Sequence, residues 1–474
     1  MRFKLSLLLG ICLLTLSDSV SSADKQPNVL FIAVDDLRPE LNCYGREHIR
    51  SPNIDRLAAE GVLFERAYCM VPTCGASRAS LMTGVRPSRN RFKSYLTRAD
   101  RDAPDAVPLH THFKNSGYQT MSLGKVFHHK DDHVDGWSIP PWKSNKNAYQ
   151  DLGAMRAHIA EGRELFPKKK RHRGAPFESF DAPDNNYPDG HCADEAIGHL
   201  KRLATEQGEK PFFLAVGFLK PHLPFNAPKK YWDMYDRDSI KLPNNYRIPT
   251  DVPKDAPHSS GELRSYALIH PKKPVDRETA LSLIHGYYAC VSFADAQIGR
   301  VLETLKDTGL DKNTIVVLWG DHGWQLGEHG MWNKHSCFET SLHTPLIMKA
   351  PTDSTIKPAT RVSSLVEFID IYPTLCELCE VPLPGHLDGT SQMKSMRDPT
   401  LPGNPFAISR FKNGNSIHDG KLRYSEYVGR RGKRIGAMMF DHSQDPTEDH
   451  NVYSPDNDSA KKLSKTLRSN MGRD

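Results

Sequence analysis

The strongest constraint on how this 474-residue chain can fold is a set of apolar segments that each end in polar residues. Residues 28–34 form a continuous apolar and partly β-branched run, which is typical of a strand buried on both faces. Residues 211–218 and 314–319 have the same character, and residues 118–122 form a weaker example. These segments predict four strands.

Segments with a helical pattern alternate with the predicted strands, for example at residues 51–61 and 294–307. This alternation predicts an α/β fold, in which helices cover both faces of a large, mostly parallel sheet. Ligands in such folds bind outside the carboxyl ends of the strands. Because the polar clusters follow the strands directly, we expect them to form one site at that edge.

Acidic residues and a histidine follow two of the predicted strands. Asp35 and Asp36 come directly after residues 28–34, and Asp321 and His322 follow the strand at 314–319. Adjacent carboxylates repel each other unless a cation is present, although a turn or a helix cap explains Asp35 and Asp36 equally well. Three carboxylates suit calcium or magnesium, for which imidazole is a less typical ligand.

Basic side chains supply positive charge and proton-transfer groups in the same regions. They are Lys125, His128, His222 and Lys334. Each one alone is explained as well by a surface lysine or a structural histidine. His222 is the most suggestive, because Pro221 and Pro224 restrict the backbone around it.

The C-terminal part of the chain has a different pattern. Residues 406–411, 421–428 and 434–440 are short alternating segments separated by Gly-rich turns, which predicts a small antiparallel sheet. We therefore expect a main domain at residues 24–400 and a C-terminal subdomain at residues 401–474. Loops rich in proline and charge are expected at residues 105–108, 166–176 and 237–276.

The first 23 residues have the pattern of a secretory signal peptide. Basic residues precede an apolar run at residues 5–16, and the small residues 21–23 offer a cleavage point. The run is too short to span a bilayer, so we expect no stable membrane anchor. The expected location is the periplasm, the exterior or a lysosome-like lumen.

Composition narrows the classes of partner. The net charge of +6 is mild for this length, and solvated surface charge explains it before attraction to a polyanion does. We expect no nucleic-acid partner. Without Cys12 in the signal and Cys74, seven of nine cysteines remain, and an odd number argues against a fully paired disulfide framework. Cys376 and Cys379 are expected in a core helix rather than in a zinc or redox site.

A short motif around Cys74 gives the sharpest functional indication. Cys74-Gly75-Ala76-Ser77-Arg78 puts a basic residue one helical turn beyond a cysteine. With other segments in order along the chain, this motif resembles the type I sulfatases of the alkaline-phosphatase superfamily. The other matching segments are 34–39, 43–45, 51–55, 124–128, 220–222, 321–324, 326–330, 445–446 and 449–451.

The resemblance implies a modified nucleophile and one metal ion. In the family, the motif cysteine is oxidised to formylglycine, so Cys74 is expected to be converted by a formylglycine-generating or equivalent maturation enzyme. Ala76 stands where proline is common, which leaves the maturation system open. One calcium ion per chain is expected, with the modified Cys74 as a further ligand beside Asp35, Asp36, Asp321 and His322.

The resemblance also implies roles for the basic residues. Arg78 and Lys125 are expected to hold the formylglycine diol and the sulfate. His128 is expected to be the base that breaks down the sulfated intermediate. His222 and Lys334 are expected to bind sulfate, and His222 to protonate the departing sugar oxygen.

The implied substrate is a sulfated carbohydrate, with a 2-O-sulfate on a uronic acid such as iduronate as the particular expectation. Basic segments at residues 168–173 and 430–434 could reach such a substrate, although a solvated loop is the simpler explanation of each. Trp324 could stack on a sugar ring or pack under a strand end. The alternatives are a sulfatase for another polysaccharide, a phosphoryl or phosphonate ester hydrolase with two metal ions, and a non-catalytic glycan-binding module.

Overall fold

The protein is described by a computed structural model that covers residues 26–206, 210–352, 354–430 and 432–471. The predicted signal peptide at residues 1–23 lies outside these ranges.

Strands and helices alternate through most of the chain. The strands are β1 (Asn28–Val34), β2 (Val62–Tyr68), β3 (Gln119–Gly124), β4 (Phe177–Phe180), β5 (Phe212–Phe218), β6 (Phe225–Pro228), β7 (Thr314–Gly320), β8 (Gln325–Leu326), β9 (Trp332–Asn333), β10 (Leu346–Lys349), β11 (Thr360–Glu367), β12 (Ala407–Phe411), β13 (Gly414–His418), β14 (Leu422–Val428) and β15 (Arg434–Asp441). The helices are α1 (Pro52–Glu60), α2 (Cys74–Thr83), α3 (Ala99–Asp102), α4 (Leu109–Asn115), α5 (Leu152–Leu165), α6 (Pro188–Thr205), α7 (Lys229–Trp232), α8 (Arg277–Asp307), α9 (Glu339–Leu342), α10 (Ile371–Leu378), α11 (Met393–Arg397) and α12 (Asp458–Asn470).

A seven-stranded sheet in the order β11-β2-β10-β7-β1-β5-β3 forms the centre of the fold. The pairs β1–β5, β1–β7, β3–β5 and β2–β11 are parallel, and β10 is antiparallel to both of its neighbours. The prediction of an α/β fold with a mostly parallel sheet is confirmed. The four predicted strands are β1, β3, β5 and β7.

The central strand β1 is buried on both faces, which explains its unbroken apolar sequence. Leu30, Ile32 and Val34 face one hydrophobic core, and the alternate residues Val29, Phe31 and Ala33 face the other. The first core includes the long helix α8, of which the sequence pattern indicated only residues 294–307. Asp276 caps α8 by accepting a hydrogen bond from the Thr279 N–H (2.9 Å).

The C-terminal strands form a four-stranded antiparallel sheet in the order β12-β13-β14-β15. This confirms the predicted small sheet, and β13 is an additional strand that the sequence pattern did not indicate. Helix α12 packs on the sheet through Leu463 and Leu467. At the other side, the Arg410 N–H donates to the Met70 carbonyl (2.9 Å), so β12 contacts the segment just before Cys74.

The remaining expectations concern cysteines and loops. The eight cysteines among the described residues form no disulfide, Cys376 lies in α10, and Cys379 is the C-cap residue of that helix. Residues 237–276 are a long loop with two short 3₁₀ turns. Within the described ranges, no helix has the length and apolar character needed to cross a membrane.

Candidate active site

The carboxyl ends of β3, β5, β1 and β7 lie side by side and carry most of the predicted site residues. Asp35 and Asp36 follow β1, Lys125 follows β3, and Asp321 follows β7. His222 lies four residues after β5. Parallel neighbours bring these ends to one edge of the sheet. Helix α2 starts at the same edge with Cys74.

Four side chains bring potential metal ligands together at this edge: Asp35, Asp36, Cys74 and His322. One ligand atom from each lies within 4.8 Å of all the others, and all four residues are buried. His322 Nδ1 donates to the Gly323 carbonyl (3.0 Å), so Nε2 presents its lone pair to the group. Nε2 lies 3.2 Å from Cys74 Sγ and 3.4 Å from Asp36 Oδ1.

Asp321 lies beside this group and is bound by its neighbours. Its Oδ1 accepts a hydrogen bond from the Asp36 N–H (3.0 Å) and lies 3.6 Å from His322 Nε2. Its Oδ2 accepts from Arg78 Nε (2.8 Å). Asp321 therefore ties the backbone after β1 to helix α2, and its Oδ1 also faces the possible ligands.

The backbone conformation and the electrostatics of Asp36 are those expected of a metal ligand. Its φ of 62° lies in the left-handed region, and Tyr287 Oη holds this conformation by donating to the Asp36 carbonyl (2.8 Å). Burial and the charge of Asp35 raise the pKa of Asp36, although His222 and Lys334 oppose the rise. The basic side chains present thus do not fully compensate its charge, and the donor set of carboxylates and an imidazole fits a divalent cation.

Asp35 differs because its basic neighbours outweigh the effect of burial on its pKa. Burial raises its pKa, but Lys125, His222 and Arg78 outweigh burial and hold the pKa well below its usual range. Lys125 Nζ forms a short ion pair with Asp35 Oδ2. Arg78 is fully buried and donates to the carbonyls of Lys125 and Val126. Arg78 therefore fixes the turn that carries Lys125.

Cys74 is a poor nucleophile as a thiol. Burial and the charge of Asp35 raise the pKa of Cys74 well above its usual value. An unmodified Cys74 therefore stays protonated near neutral pH, and the thiolate is the reactive form of cysteine.

Lys334 and His222 approach Asp36 from the other side. Lys334 Nζ lies 3.0 Å from Asp36 Oδ1, and His222 Nε2 lies 3.8 Å from Asp36 Oδ2. Both also contact Glu262, at 2.9 Å from Lys334 and 3.0 Å from His222. Glu262 is a residue of the site that sequence reasoning missed. It lies in the long loop at residues 237–276 and belongs to no pattern that could have revealed it.

His128 lies at the edge of the site as a neutral imidazole. Burial, reinforced by the charge of Lys125, lowers the pKa of His128 to about 3. Its Nδ1 is buried and has no hydrogen-bond partner in the part of the chain that the structure describes. The neutral ring has a nitrogen that can receive a proton, and a pKa this low makes it a weak base in this arrangement.

The segments that contain Arg38 and Trp324 pack beneath the site and stabilise it. Arg38, just after the acidic pair, bonds to Glu40 Oε2 with Nε (2.7 Å) and to Glu328 Oε1 with Nη1 (2.7 Å). The pair with Glu328 joins the segment after β1 to the segment after β8. Trp324 is only 1% exposed and lies under Lys334 Nζ at 4.9 Å, so it packs beneath the strand end and offers no free face to a sugar.

The two basic segments have different environments. Lys169 Nζ donates to the Tyr266 carbonyl (2.6 Å), and Arg173 Nη1 donates to Tyr266 Oη (2.9 Å), so the segment 168–173 packs on the loop that carries Glu262. In the second segment, Arg434 Nη1 donates to Tyr424 Oη (3.1 Å) on the C-terminal sheet.

The fold is of the alkaline-phosphatase and sulfatase type. A solved structure of a protein with its substrate D-glucosamine-2-N,6-O-disulfate aligns with a TM-score of 0.74 and 20% identity, over 94% of this chain and 97% of that chain. The phosphonate monoester hydrolase of Agrobacterium radiobacter aligns with a TM-score of 0.72 and 21% identity, over 94% and 95%. At this identity the two likenesses show the fold alone.

Sequence comparison defines the family. The family model described as Sulfatase matches residues 27–381. The chain is 31% identical to iduronate 2-sulfatase of Homo sapiens over 511 aligned residues, which cover 90% of this chain and 91% of the relative. The chain belongs to the sulfatase family, and it is a sulfuric ester hydrolase.

Proposed function

We propose that this enzyme hydrolyses a sulfate ester of a sulfated glycan, with formylglycine formed from Cys74 as the nucleophile and one calcium ion. The observation that carries the proposal is the position of Cys74. It is buried at the first residue of α2, and its Sγ lies in one group with Asp35, Asp36 and His322. The position of Cys74 at the start of the motif Cys74-Gly75-Ala76-Ser77-Arg78 supports its conversion to formylglycine.

The proposed calcium ligands are Asp35, Asp36, Asp321, His322 and the modified residue 74. Carboxylate oxygens are the ligands that calcium prefers, and the raised pKa of Asp36 supports a cation there. When bound, the ion and the hydrated aldehyde would supply a Lewis acid, an oxygen nucleophile and a second hydroxyl through which sulfate can be released.

The basic side chains are proposed to hold the transferring group. Lys125 and Lys334 would bind sulfate oxygens from two sides, and Arg78 would help to hold the formylglycine diol and the sulfate while it keeps Lys125 in place. His222 would bind sulfate and donate a proton from Nε2 to the departing sugar oxygen. His128 would accept a proton on its neutral ring, and the negative charge that sulfate brings beside it would raise its basicity.

The proposed ester is a 2-O-sulfate on iduronate or a similar uronic acid. The similarity to iduronate 2-sulfatase over most of both chains supports this choice. The basic segments at residues 168–173 and 430–434 supply positive charge that could pair with a uronate carboxylate.

The domain division and the location of the enzyme are also proposals. A boundary near residue 400 is supported by the separate core beneath the C-terminal sheet, which includes Ile408, Ile417 and Leu463. Export through residues 1–23 is supported by the sequence pattern alone.

An activity panel on protein of known modification state tests the proposal. Peptide mass spectrometry should find the sulfur of Cys74 replaced by oxygen in the active fraction. That fraction should hydrolyse a 2-O-sulfated iduronate disaccharide and 4-nitrophenyl sulfate, and should act poorly on phosphate and phosphonate esters. Preference for phosphonates would favour the hydrolase alternative. Full activity with the unmodified thiol would contradict the role of formylglycine.

A further inference from the structure

Glu262 contacts two of the proposed sulfate-binding residues at once. Its Oε1 lies 3.0 Å from His222 Nε2, and its Oε2 lies 2.9 Å from Lys334 Nζ. The side chain is only 17% exposed, so this carboxylate is largely withdrawn from water. Burial raises its pKa, but Lys334 and His222 outweigh burial and hold the pKa of Glu262 well below its usual range. Glu262 is therefore ionised.

The contact with Glu262 fixes the orientation of the His222 ring. His222 Nδ1 bonds to the Leu223 carbonyl, which can only accept a hydrogen bond. Nε2 faces the carboxylate of Glu262, which also only accepts. Both ring nitrogens therefore act as donors in this arrangement, so Glu262 holds the Nε2 proton that the departing sugar oxygen would take over when the ester is bound.

Lys334 is held between two carboxylates, Asp36 and Glu262. A divalent cation bound at Asp36 would compete for that carboxylate, since both partners are positive. Glu262 lies outside the proposed ligand set, so it remains the carboxylate that keeps the Lys334 ammonium in place.

The loop that carries Glu262 is attached to the segment that carries Lys334. The Leu263 N–H donates to Asn333 Oδ1 (3.3 Å), and the Trp332 N–H donates to Ser260 Oγ (2.9 Å). These two hydrogen bonds hold residues 260–263 against residues 332–333, so they keep Glu262 close to Lys334. A carboxylate that faces a sulfate site would repel the substrate unless it stayed paired in this way.

We propose that Glu262 is a positioning residue that acts through His222 on the leaving-group side of the sulfate ester, with a smaller effect through Lys334. The inference rests on the proposed function of His222 as a proton donor. A sugar alkoxide is a poor leaving group and needs a proton, whereas 4-nitrophenolate leaves without one. Glu262 should therefore matter for sugar sulfates much more than for aryl sulfates.

The first experiment compares Glu262→Gln with the wild-type enzyme on two probes, a 2-O-sulfated iduronate disaccharide and 4-nitrophenyl sulfate. We expect kcat on the disaccharide to fall by about 10- to 100-fold, the usual cost of losing a residue that orients a catalytic group. On 4-nitrophenyl sulfate, kcat should stay within about 3-fold of wild type, because no proton donor is needed. Equal losses on both probes, or no loss on either, would overturn the proposal.

The second experiment tests whether Glu262 acts through His222. In a His222→Ala background, adding Glu262→Gln should cost nothing further on the disaccharide beyond about 2-fold, because the residue that it positions is gone. Additive losses would overturn the inference. Glu262→Asp keeps the charge with a shorter reach. If the Gln variant folds poorly, the Asp variant replaces it, and we expect a smaller loss of kcat on the disaccharide with kcat on 4-nitrophenyl sulfate unchanged.

Glu178→Gln is a matched control. Glu178 is also a partly buried carboxylate, which accepts hydrogen bonds from the Gln150 N–H (2.8 Å) and the Asp151 N–H (3.1 Å) away from the site. Its loss should affect both probes equally. Wild-type activity on both probes separates the two proposals. Wild-type enzyme that carries formylglycine but is inactive would contradict the proposed function. An active wild-type enzyme whose Glu262 variants lose kcat equally on both probes, or on neither, would contradict only the role of Glu262.

Discussion

Two clusters of charged residues in this molecule differ in how basic side chains compensate their acids. The site cluster contains Asp35, Asp36, Arg78, Lys125, Asp321, His322 and Lys334. The interface cluster contains Glu339, Arg423, His442 and Glu448, and it lies where the C-terminal sheet meets the larger part of the molecule. Each cluster offers a group of potential metal ligands. The difference lies in how far their own basic residues balance the acids.

Arg423 balances the interface cluster internally. It is 2% exposed, its Nε lies 3.1 Å from Glu448 Oε1, and it forms a short ion pair with Glu339. Burial raises the pKa of Glu339, but Arg423 outweighs burial and holds it well below its usual range. Arg423 and His442, whose pKa is raised by Glu448 despite burial, together balance both acids, so a metal ion has little to gain there.

The same comparison explains the chemistry of the site cluster. Asp36 has a raised pKa despite Lys334 and His222, so its charge is incompletely balanced. The ion pairs of the interface cluster hold the fold together, whereas the incompletely compensated Asp36 leaves the site cluster ready to bind a cation. The following predictions test this distinction, from the largest expected effect to the smallest.

Replacing the proposed nucleophile should remove activity without unfolding the protein. For Cys74→Ala we expect kcat to fall by about 10⁴-fold or more, the scale for losing a catalytic nucleophile. The thermal unfolding midpoint should change little, because Cys74 makes few polar contacts besides His322. Cys69→Ala, at another buried cysteine of the same segment, should retain turnover. Turnover that survives Cys74→Ala would contradict the mechanism.

Breaking the interface cluster should have the opposite effect. Arg423→Met leaves Glu339 and Glu448 without their buried partner, and we expect a loss of about 3–5 kcal/mol in the free energy of unfolding. Urea unfolding measures this loss, while kcat of the folded fraction should be retained. A variant that stays stable but loses kcat would show that the two clusters are not separate in function.

Acid should weaken the interface cluster through His418, whose Nε2 accepts from His442 Nδ1 (3.1 Å). Burial, with the charge of Arg423, lowers the pKa of His418 to about 2. An unfolded histidine takes up its proton near pH 6.5, at about its reference pKa. Between about pH 6.5 and 2 the unfolded chain therefore binds more protons, and stability should fall as the pH falls.

Urea unfolding of His418→Phe between about pH 6 and 4.5 tests this dependence. Burial lowers the pKa of His442, but the contact with Glu448 outweighs burial and raises it. His442 therefore carries its proton in both the folded and the unfolded state in this range, and it does not contribute to the pH dependence of stability. The free energy of unfolding should fall less steeply with falling pH in His418→Phe than in the wild type. His450→Phe, at an exposed histidine, should show the wild-type slope. A decline of equal slope in His418→Phe would contradict the assignment.

Charge reversal in the second basic segment should have the smallest effect. Lys433→Glu with Arg434→Glu should raise KM for a 2-O-sulfated uronate by about 3- to 10-fold, the range for losing one or two exposed charge pairs, while sparing 4-nitrophenyl sulfate. Lys306→Glu with Lys312→Glu is the matched control, since these residues lie near the amino end of β7. An equal rise in KM for both pairs would show a general charge effect.

The sequence predicted those parts of the site that depend on local pattern. An apolar strand that ends in Asp35 and Asp36, or in Asp321 and His322, identifies the carboxyl edge of a sheet, and parallel pairing then brings such ends together. The cysteine motif predicted that Arg78 lies one helical turn from Cys74, as α2 has it.

Residues that arrive through tertiary packing could not be predicted. Glu262 reaches the site because its loop bonds to the segment around Asn333, and no periodicity records that contact. The strand β13 (Gly414–His418) was missed because its glycine, asparagine and serine have low strand propensity, and pairing on both sides decides its conformation. Trp324 was left open because burial, not residue type, excludes a sugar there.

Metal content tests the central claim most directly, because only the site cluster should need a cation. Elemental analysis of purified protein after dialysis should find one calcium ion per chain in the wild type and in Glu448→Gln. Asp36→Asn and Asp321→Ala should lose both the calcium and the turnover while remaining folded, since both residues lie after strand ends rather than within the core. Two zinc ions per chain, or calcium that survives Asp36→Asn but is lost with Glu448→Gln, would contradict the account.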